Sequence, residues 1–254
     1  MAVPPERLHG AMRMSALLTV QGVSKRFRGL VAVDRLGFEV EEGGIVAVIG
    51  PNGAGKTTLF NMIAGAVVSD SGMITFAGER IDSLSSDQRC RRGISRTFQI
   101  VRPFPGLSVA DNVVIGALLH RHDMRSARKH AENVLRRVDL YDKRERRASS
   151  LTLPDRKRLE LARALATDPK LLLLDEVMAG LRPTETDRMV AILKELNRGG
   201  LTILLIEHVM RAVMALASHV VVMHHGAAIA SGTPAEVVRD RAVIDSYLGE
   251  EAVA

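Results

Sequence analysis

Continuous apolar runs alternate with amphipathic segments along most of the chain. The runs at 45–49, 171–174 and 201–206 contain no polar alternation, which is typical of strands buried on both faces of a parallel sheet. Residues 189–196 repeat their apolar side chains at helical spacing, which predicts an amphipathic helix. The run at 17–20 predicts a strand, and the runs at 23–27, 30–33 and 38–40 follow it as short strands in succession, which predicts an antiparallel layer. The pattern therefore predicts an α/β protein with a mostly parallel core sheet.

A charged helical region interrupts this α/β pattern. Ser108 and Asp111 have the spacing of a capping box, and apolar residues between 127 and 138 share one face of a second helix. We expect an inserted helical subdomain at 100–160, within a core formed by 14–99 and 161–254. Residues 1–13 carry two prolines and are expected to be a loose leader.

Composition sets broad limits on the class of protein. The 254 residues are 46% apolar and 25% charged, which is ordinary for a globular chain. No apolar run reaches the roughly 18 residues that a membrane span needs, and no secretory signal is recognisable, so we expect a cytoplasmic protein. The single cysteine, Cys90, excludes an internal disulfide. The net charge of +6 suits nucleic acid, anionic lipid or acidic ligands and does not choose among them.

The turn after the first buried run carries the strongest chemical signal. It matches the template G-x-x-x-x-G-K-[ST] and lies between a predicted strand and a predicted helix. Glycines let consecutive N–H groups point at phosphate oxygens, Lys56 can reach the β and γ phosphates, and the Thr57 hydroxyl can hold Mg²⁺. The turn predicts a nucleoside triphosphate site, whose residues are Gly50, Pro51, Asn52, Gly53, Ala54, Gly55, Lys56, Thr57 and Thr58.

Two further buried runs end in polar residues. Asp175 and Glu176 follow the run at 171–174, where open α/β sheets place their ligands. We predict that Asp175 binds Mg²⁺ and that Glu176 is the general base for the attacking water. His208 follows the run at 201–206, which we expect to lie parallel to the Asp175 strand, and would lie near the γ phosphate. Phe27 either stacks on a base or belongs to the core.

The order of these motifs resembles the nucleotide-binding subunits of ABC transporters over residues 15–250. The resemblance implies a P-loop NTPase fold with ATP and Mg²⁺ as cofactors. It makes Phe27 the adenine-stacking residue, 50–58 the Walker A loop and 171–176 the Walker B strand with its catalytic glutamate. Gln99 becomes the Q-loop residue, a Mg²⁺ ligand and the link to the helical subdomain, and His208 becomes the switch histidine.

Within that family, segments 25–33, 96–99 and 232–250 look like the branched-chain amino acid uptake group. Lipopolysaccharide-export ATPases share a similar tail and are the alternative. The resemblance implies a second ABC ATPase subunit, identical or different, and transmembrane permease subunits fed by an extracytoplasmic solute-binding protein. It implies a peripheral location on the inner face of the cell membrane and no nucleic-acid partner.

The chain departs from the family pattern at three places. The signature Leu-Ser-Gly-Gly-Gln reads Leu151-Thr152-Leu153-Pro154-Asp155, without either glycine. We predict that Thr152 and Asp155 form a capping box, and that the Asp155 charge opposes the nucleotide bound by the partner subunit. Proline is replaced by Val177 after the Walker B strand, and Arg182 stands where Asp or Asn is usual.

Three classes of function compete. The leading hypothesis is an ATP-hydrolysing transporter subunit, since every residue expected for hydrolysis within one subunit is present. The altered signature motivates a second class, a structural subunit that clamps ATP with little turnover. The basic charge suggests a soluble ABC ATPase acting on nucleic acid or ribosomes, but such chains usually carry two ATPase units and this chain has one.

Overall fold

A computed structural model of the chain describes residues 16–97 and 103–245. Within these ranges the strands are β1 Ala16–Phe27, β2 Leu30–Glu41, β3 Ile45–Ile49, β4 Ser71–Phe76, β5 Glu79–Arg80, β6 Ile94–Arg96, β7 Leu171–Asp175, β8 Thr202–Ile206, β9 His219–His224 and β10 Ala227–Gly232. The helices are α1 Lys56–Ile63, α2 Ser86–Arg91, α3 Val109–Ala117, α4 Met124–Arg137, α5 Leu153–Leu165, α6 Pro183–Arg198, α7 Met210–Leu216 and α8 Pro234–Val237.

The strands form two sheets of different construction. In the larger, the strand order is β10-β9-β3-β8-β7-β6. Strands β9, β3, β8, β7 and β6 run parallel, and β10 adds an antiparallel edge. The smaller sheet has the order β2-β1-β4-β5 and is antiparallel throughout. The predicted mostly parallel core sheet and antiparallel β layer are confirmed.

The core sheet is buried on both faces, which explains its continuous apolar runs. Along β3, the side chains of Ile45, Ala47 and Ile49 pack in one cluster with residues of α3, α4, α5 and α6. The alternating residues Val46 and Val48 pack in a second cluster with α1 and the antiparallel sheet. Since successive strand side chains point to opposite faces and both faces of β3 are covered, β3 is apolar at every position.

The first strand differs from its prediction. The runs at 17–20 and 23–27 belong to one strand, β1, which pairs with both β2 and β4. Register shifts lie on either side of Val23, and Gly22 has a φ of 58°. The irregularity is therefore a bulge within one strand, because glycine accommodates it without breaking the ladder.

The carboxyl ends of three core strands meet at one edge. Asp175 at the end of β7 lies opposite Ile206 at the end of β8, and Val48 of β3 lies opposite Ile206 on the other side. The predicted parallel pairing of β7 and β8 is confirmed. This edge places the β3–α1 turn, Asp175 and the end of β8 next to one another.

The region between the core strands β6 and β7 is helical, as expected. Ser108 caps α3 by accepting a hydrogen bond from the Asp111 N–H at 3.0 Å. Helix α5 passes without interruption through residue 160, where the sequence places a domain boundary. The division of the chain into subdomains stays a prediction. Within the described ranges, no helix combines the length and apolar character needed to cross a membrane.

Candidate functional site

The β3–α1 turn depends on glycine at both ends. Gly50 has a φ of 146° and Gly55 a φ of 100°, conformations that other residues adopt rarely. A Cβ at Gly50 would lie 2.0 Å from the Met223 carbonyl oxygen, and one at Gly55 would lie 2.1 Å from the Ala32 carbonyl oxygen. The turn therefore packs directly against the backbone of β9 and β2, and no residue larger than glycine fits at position 50 or 55.

Lys56 lies inside the curl of this turn. It is the first residue of α1 and is 8% exposed. Its Nζ donates to the carbonyl oxygens of Gly50 at 2.6 Å and Pro51 at 2.7 Å. The ammonium is therefore held at the N-terminal end of α1. An anion at this position would be attracted by the ammonium, by the positive end of the helix dipole and by the N–H groups of the loop.

A cleft of about 650 Å³ opens over the turn. Asn52, Gly53, Ala54, Gly55, Lys56, Thr57 and Thr58 line it, together with Phe27, 30–32, Glu176 and His225. Phe27 is 46% exposed at the end of β1, so its ring belongs to the cleft wall and not to the core. The structure brings the predicted stacking residue, the turn and Glu176 to one cleft.

His225 is a cleft residue that the sequence analysis did not identify. It follows β9 in a turn with a φ of 46°, and its ring centroid lies 4.0 Å from that of His224. The next residue, Gly226, donates its N–H to the Ala54 carbonyl at 3.0 Å. The only sequence signal was a His-His-Gly turn between two strands, which does not indicate contact with a distant loop.

Asp175 is buried and paired with a cation. The residue is 2% exposed, and its Oδ2 lies 2.6 Å from Arg96 Nη2. Arg96 also donates from Nη1 to Asn61 Oδ1 at 2.5 Å. The pair exists because β6 and β7 are parallel neighbours, with Arg96 opposite Leu173. The sequence around Arg96 does not predict this ion pair, because Asp175 lies 79 residues further along the chain.

The backbone of Glu176 is held on both sides. Its φ is 49°, a left-handed conformation that costs about 1–2 kcal/mol for a residue with a Cβ. Its N–H donates to the Ile206 carbonyl at 3.0 Å. Its carbonyl accepts hydrogen bonds from Lys157 Nζ at 3.0 Å and from the Ala179 N–H at 3.2 Å.

Glu207 and Lys157 are two buried charged residues beside Glu176. Glu207 is 1% exposed, and its Oε1 accepts from the Met178 N–H at 2.9 Å. Burial raises the pKa of the Glu207 carboxyl, and the Met178 N–H and the charge of His208 offset only part of this. Burial also lowers the pKa of Lys157, against the attraction of Glu207 and Glu176. The sequence analysis assigned no role to either residue.

His208 lies at the expected end of β8 but outside the cleft wall. It follows the buried Glu207 directly and is exposed. The residues lining the cleft do not include it. Gln99, the other residue expected near the γ phosphate, lies outside the described residues, as do 1–15 and 246–254.

The altered signature begins α5, and one expectation about it is wrong. Thr152 is the residue before the helix, and Pro154 occupies its first turn. The Thr152 side chain accepts no hydrogen bond from the helix backbone, so the predicted Thr152–Asp155 capping box is absent, and its hydroxyl donates to the Asp155 carboxylate instead. Asp155 is instead buried, 2% exposed, and ion-paired with Lys143 and Arg158. Its charge is satisfied within the chain and is not presented at the surface.

The ion pairs that Asp155 makes with Lys143 and Arg158 affect the pKa of its carboxyl group. Burial acts to raise the pKa of the carboxyl, but hydrogen bonds from Lys143 and Thr152 and the charge of Arg158 hold it below its usual value. Leu153, by contrast, is 45% exposed at the start of the helix. The exposed side chains at this helix end are therefore Thr152, Leu153 and Arg156, and the negative charge of Asp155 is not among them.

The other two departures have simple structural outcomes. Val177 is 3% exposed and packs in the core, which requires an apolar side chain and not specifically a proline. Arg182 is exposed before α6, and its N–H donates to Glu185 Oε2 at 2.8 Å. Position 182 therefore starts a helix whose first turn is capped by Glu185.

Comparison with known proteins agrees with this geometry. Residues 33–179 match the model of the ABC transporter family, and residues 229–253 match that of the branched-chain amino acid ATP-binding cassette transporter. The chain is 39% identical to the high-affinity branched-chain amino acid transport ATP-binding protein BraF of Pseudomonas aeruginosa, over 92% of this chain and 98% of the relative. It is 40% identical to LivG of Salmonella typhimurium, a protein of the same description, with the same coverage.

More distant relatives and solved structures fit the same family. The lipopolysaccharide export system ATP-binding protein LptB of Escherichia coli is 36% identical over 93% of this chain and 98% of its own length. A nucleotide-free ATP-binding cassette from an ABC transporter superposes with a TM-score of 0.84 at 29% identity, covering 92% of this chain and 99% of that one. The predicted P-loop NTPase fold is confirmed, and the chain belongs to the ABC transporter family as one of its ATP-binding ATPase subunits.

Proposed function

We propose that this ATPase subunit powers an importer of branched-chain amino acids or closely related solutes. The match of residues 229–253 to the branched-chain amino acid cassette model carries the solute assignment. The identities of 39% and 40% to BraF and LivG support it over most of the chain.

The cleft residues divide into nucleotide-binding roles. The turn amides and the Lys56 ammonium hold the β and γ phosphates, and Phe27 stacks on adenine. The burial of Lys56 within the turn and the half-exposed Phe27 ring on the same cleft support this assignment. The proposed nucleotide-binding set is Phe27, Gly50, Asn52, Gly53, Ala54, Gly55, Lys56, Thr57 and Thr58.

Thr57, Asp175 and Gln99 are proposed to hold Mg²⁺. Magnesium prefers hard oxygen ligands and is usually bound by one or two carboxylates together with substrate phosphates. The exposed Thr57 hydroxyl and the Asp175 carboxylate at the sheet edge supply this donor type. The Arg96 ion pair fixes the orientation of that carboxylate. Bound Mg²⁺ would neutralise charge on the phosphates.

Hydrolysis is assigned to Glu176 as general base, which takes a proton from the attacking water. Its place on the cleft wall, beside the turn, supports this role. Lys56 stabilises negative charge on the γ phosphoryl group, and His208 and Gln99 are proposed to act on the same group. Among the proposed catalytic residues, Glu176 is the one whose replacement should stop hydrolysis and leave every proposed contact with the nucleotide in place.

The proposed assembly follows the transporter family. This chain pairs with a second ABC ATPase subunit beneath two permease subunits, on the inner face of the cell membrane. An extracytoplasmic solute-binding protein acts on the complex indirectly, and no nucleic acid is involved. The helical subdomain, proposed at 100–160, lies next to the permeases.

Uptake by the reconstituted transporter tests the proposed function. The complex is placed in vesicles loaded with Mg²⁺ and ATP, and entry of labelled leucine, isoleucine and valine is measured. We expect ATP-dependent uptake that Glu176→Gln abolishes. ATP hydrolysis without uptake of any of the three amino acids would contradict the solute assignment. Release of lipopolysaccharide from the membrane would instead favour the export function suggested by LptB.

The altered signature supports a further proposal, that the two ATP sites of the pair are unequal. Leu153 is bulky and 45% exposed, and Pro154 has no N–H to offer a phosphate. The site that this signature completes is proposed to be the weaker one, and a pair of identical chains would turn over slowly as a structural clamp. Mutating the catalytic glutamates of the two subunits one at a time tests this, because equal losses would contradict unequal sites.

A further inference from the structure

The turn that carries Glu176 is fixed by two side chains that reach it from different parts of the fold. Lys157 comes from α5, the helix that begins at the altered signature, and its Nζ donates to the Glu176 carbonyl at 3.0 Å. Glu207 comes from the end of β8, and its Oε1 accepts from the Met178 N–H at 2.9 Å. Each side chain therefore holds one backbone group of the same short segment.

These two charges do not simply neutralise each other in an ion pair. Within the described part of the chain, Glu207 Oε2 is buried and has no hydrogen-bond partner, while Oε1 is taken by Met178. Lys157 is 5% exposed and Glu207 is 1% exposed, so bulk water does not solvate either charged group. Burying two charged groups is costly, and here both groups bind the backbone of one turn.

The conformation of Glu176 requires such support. A residue with a Cβ keeps a φ of 49° only when its surroundings fix it. The Glu176 N–H is bound to the Ile206 carbonyl, which fixes one side of the residue to β8. The Lys157 contact fixes the carbonyl side to α5. Without it, the peptide after Glu176 loses the hydrogen bond from Lys157 and the direction of the carboxylate is less restricted.

We propose that Lys157 and Glu207 are positioning residues that hold the Glu176 turn in its reactive conformation, with Lys157 linking that turn to the signature helix. This inference rests on the proposed role of Glu176 as general base. The link means that a displacement of α5 moves the carbonyl of Glu176 directly. The charged groups that face the turn are Lys157 from α5, Glu207 and His208 from the end of β8, and Asp175 from β7.

Steady-state ATP hydrolysis by the reconstituted transporter complex tests the proposal. Lys157→Met removes the ammonium and keeps a side chain of similar length, while Lys157→Arg keeps a cation. We expect Lys157→Met to lower kcat by about tenfold to a hundredfold, since small displacements of a catalytic group have effects of that size. The KM for ATP should stay within about twofold, because no nucleotide contact is lost. Lys157→Arg should recover most of the lost kcat.

A second pair of variants tests the Glu207 side of the turn. Glu207→Gln keeps an oxygen for the Met178 N–H, whereas Glu207→Leu leaves that N–H buried without a partner. We expect the leucine variant to lose kcat and the glutamine variant to keep more of it. If both residues act on one turn, the Lys157→Met/Glu207→Leu double variant loses less than the product of the two single losses.

Arg89→Met is the matched control for loss of a buried cation. Arg89 is 2% exposed and donates to the backbone carbonyls of Met62 and Ile63 at the C-terminal end of α1. It should lower the melting temperature and leave kcat per folded molecule unchanged. A kcat for Lys157→Met within about twofold of wild type, or a loss no larger than that of Arg89→Met, would overturn the proposal. If Glu176→Gln itself keeps turnover, the assigned general base is wrong, and that outcome is distinguishable from failure of Lys157 alone.

Discussion

Replacing Asp155 by asparagine separates two opposite views of the altered signature. The sequence suggests that the Asp155 charge opposes the nucleotide held by the partner subunit, in which case Asp155→Asn should raise ATP turnover. The structure buries this carboxylate between Lys143 and Arg158, so the same change should instead destabilise the chain. We expect destabilisation and no gain of turnover.

The size of the effect follows from the exposure of the partners. The Asp155 side chain is 3% exposed and that of Arg158 9%, but that of Lys143 is 35% exposed and can turn into water. Removing one partner from a buried ion pair costs about 3–5 kcal/mol, and the exposed lysine places the cost near the lower end, about 3 kcal/mol. At about 2–4 °C per kcal/mol, the melting temperature should fall by about 6–12 °C.

Thermal unfolding followed by circular dichroism measures this shift. Asp142→Asn, an exposed carboxylate near Lys143 in the chain, is the control for a change of one charge and should shift the midpoint by less than about 1 °C. Because the pKa of Asp155 is lowered on folding, its contribution is present above the unfolded pKa of about 3.9 and is lost as the pH falls through the lower folded value. The difference between wild type and Asp155→Asn should therefore be constant from about pH 7 to pH 5. Equal midpoints, or faster ATP turnover by the variant, would refute the reasoning.

Three further changes test the cleft. Glu176→Gln should leave the affinity for ATP within about twofold and lower single-turnover hydrolysis by about a hundredfold or more, and an unchanged single-turnover rate would contradict the general-base role. Lys56→Ala removes the cation from the turn and should weaken ATP binding by about tenfold or more, measured by titration with a fluorescent nucleotide; equal affinity would exclude it as a phosphate ligand. Gly55→Ala places a Cβ 2.1 Å from the Ala32 carbonyl oxygen and should abolish nucleotide binding. The control Gly29→Ala, where nothing lies within 4 Å of the added Cβ, should bind nucleotide normally. Equal binding by the two variants would show that close packing of the turn against β2 is not needed.

The sequence by itself determined the features that depend on near neighbours in the chain. The glycine turn at 50–58 requires its own glycines, whose backbone conformations are local. The continuous apolar runs predicted parallel strands buried on both faces, because such strands lack the alternation of apolar and polar side chains that one solvated face produces. The cap of α3 by Ser108 was likewise predictable, since donor and acceptor are three residues apart. Asp175, Glu176 and His208 could be assigned to the ends of β7 and β8 because each follows a continuous apolar run within two residues.

Tertiary structure alone decided which partners the buried charges find. Asp155 has the spacing of a capping residue, and Arg158 lies one helical turn further along α5, but only the fold brings Lys143 from the preceding segment to its carboxylate. Arg96 meets Asp175, and Lys157 meets the Glu176 carbonyl, only because the sheet order and the path of α5 bring distant segments together. A buried charge must be satisfied by whatever lies nearest in space, and spacing along the chain does not specify that neighbour.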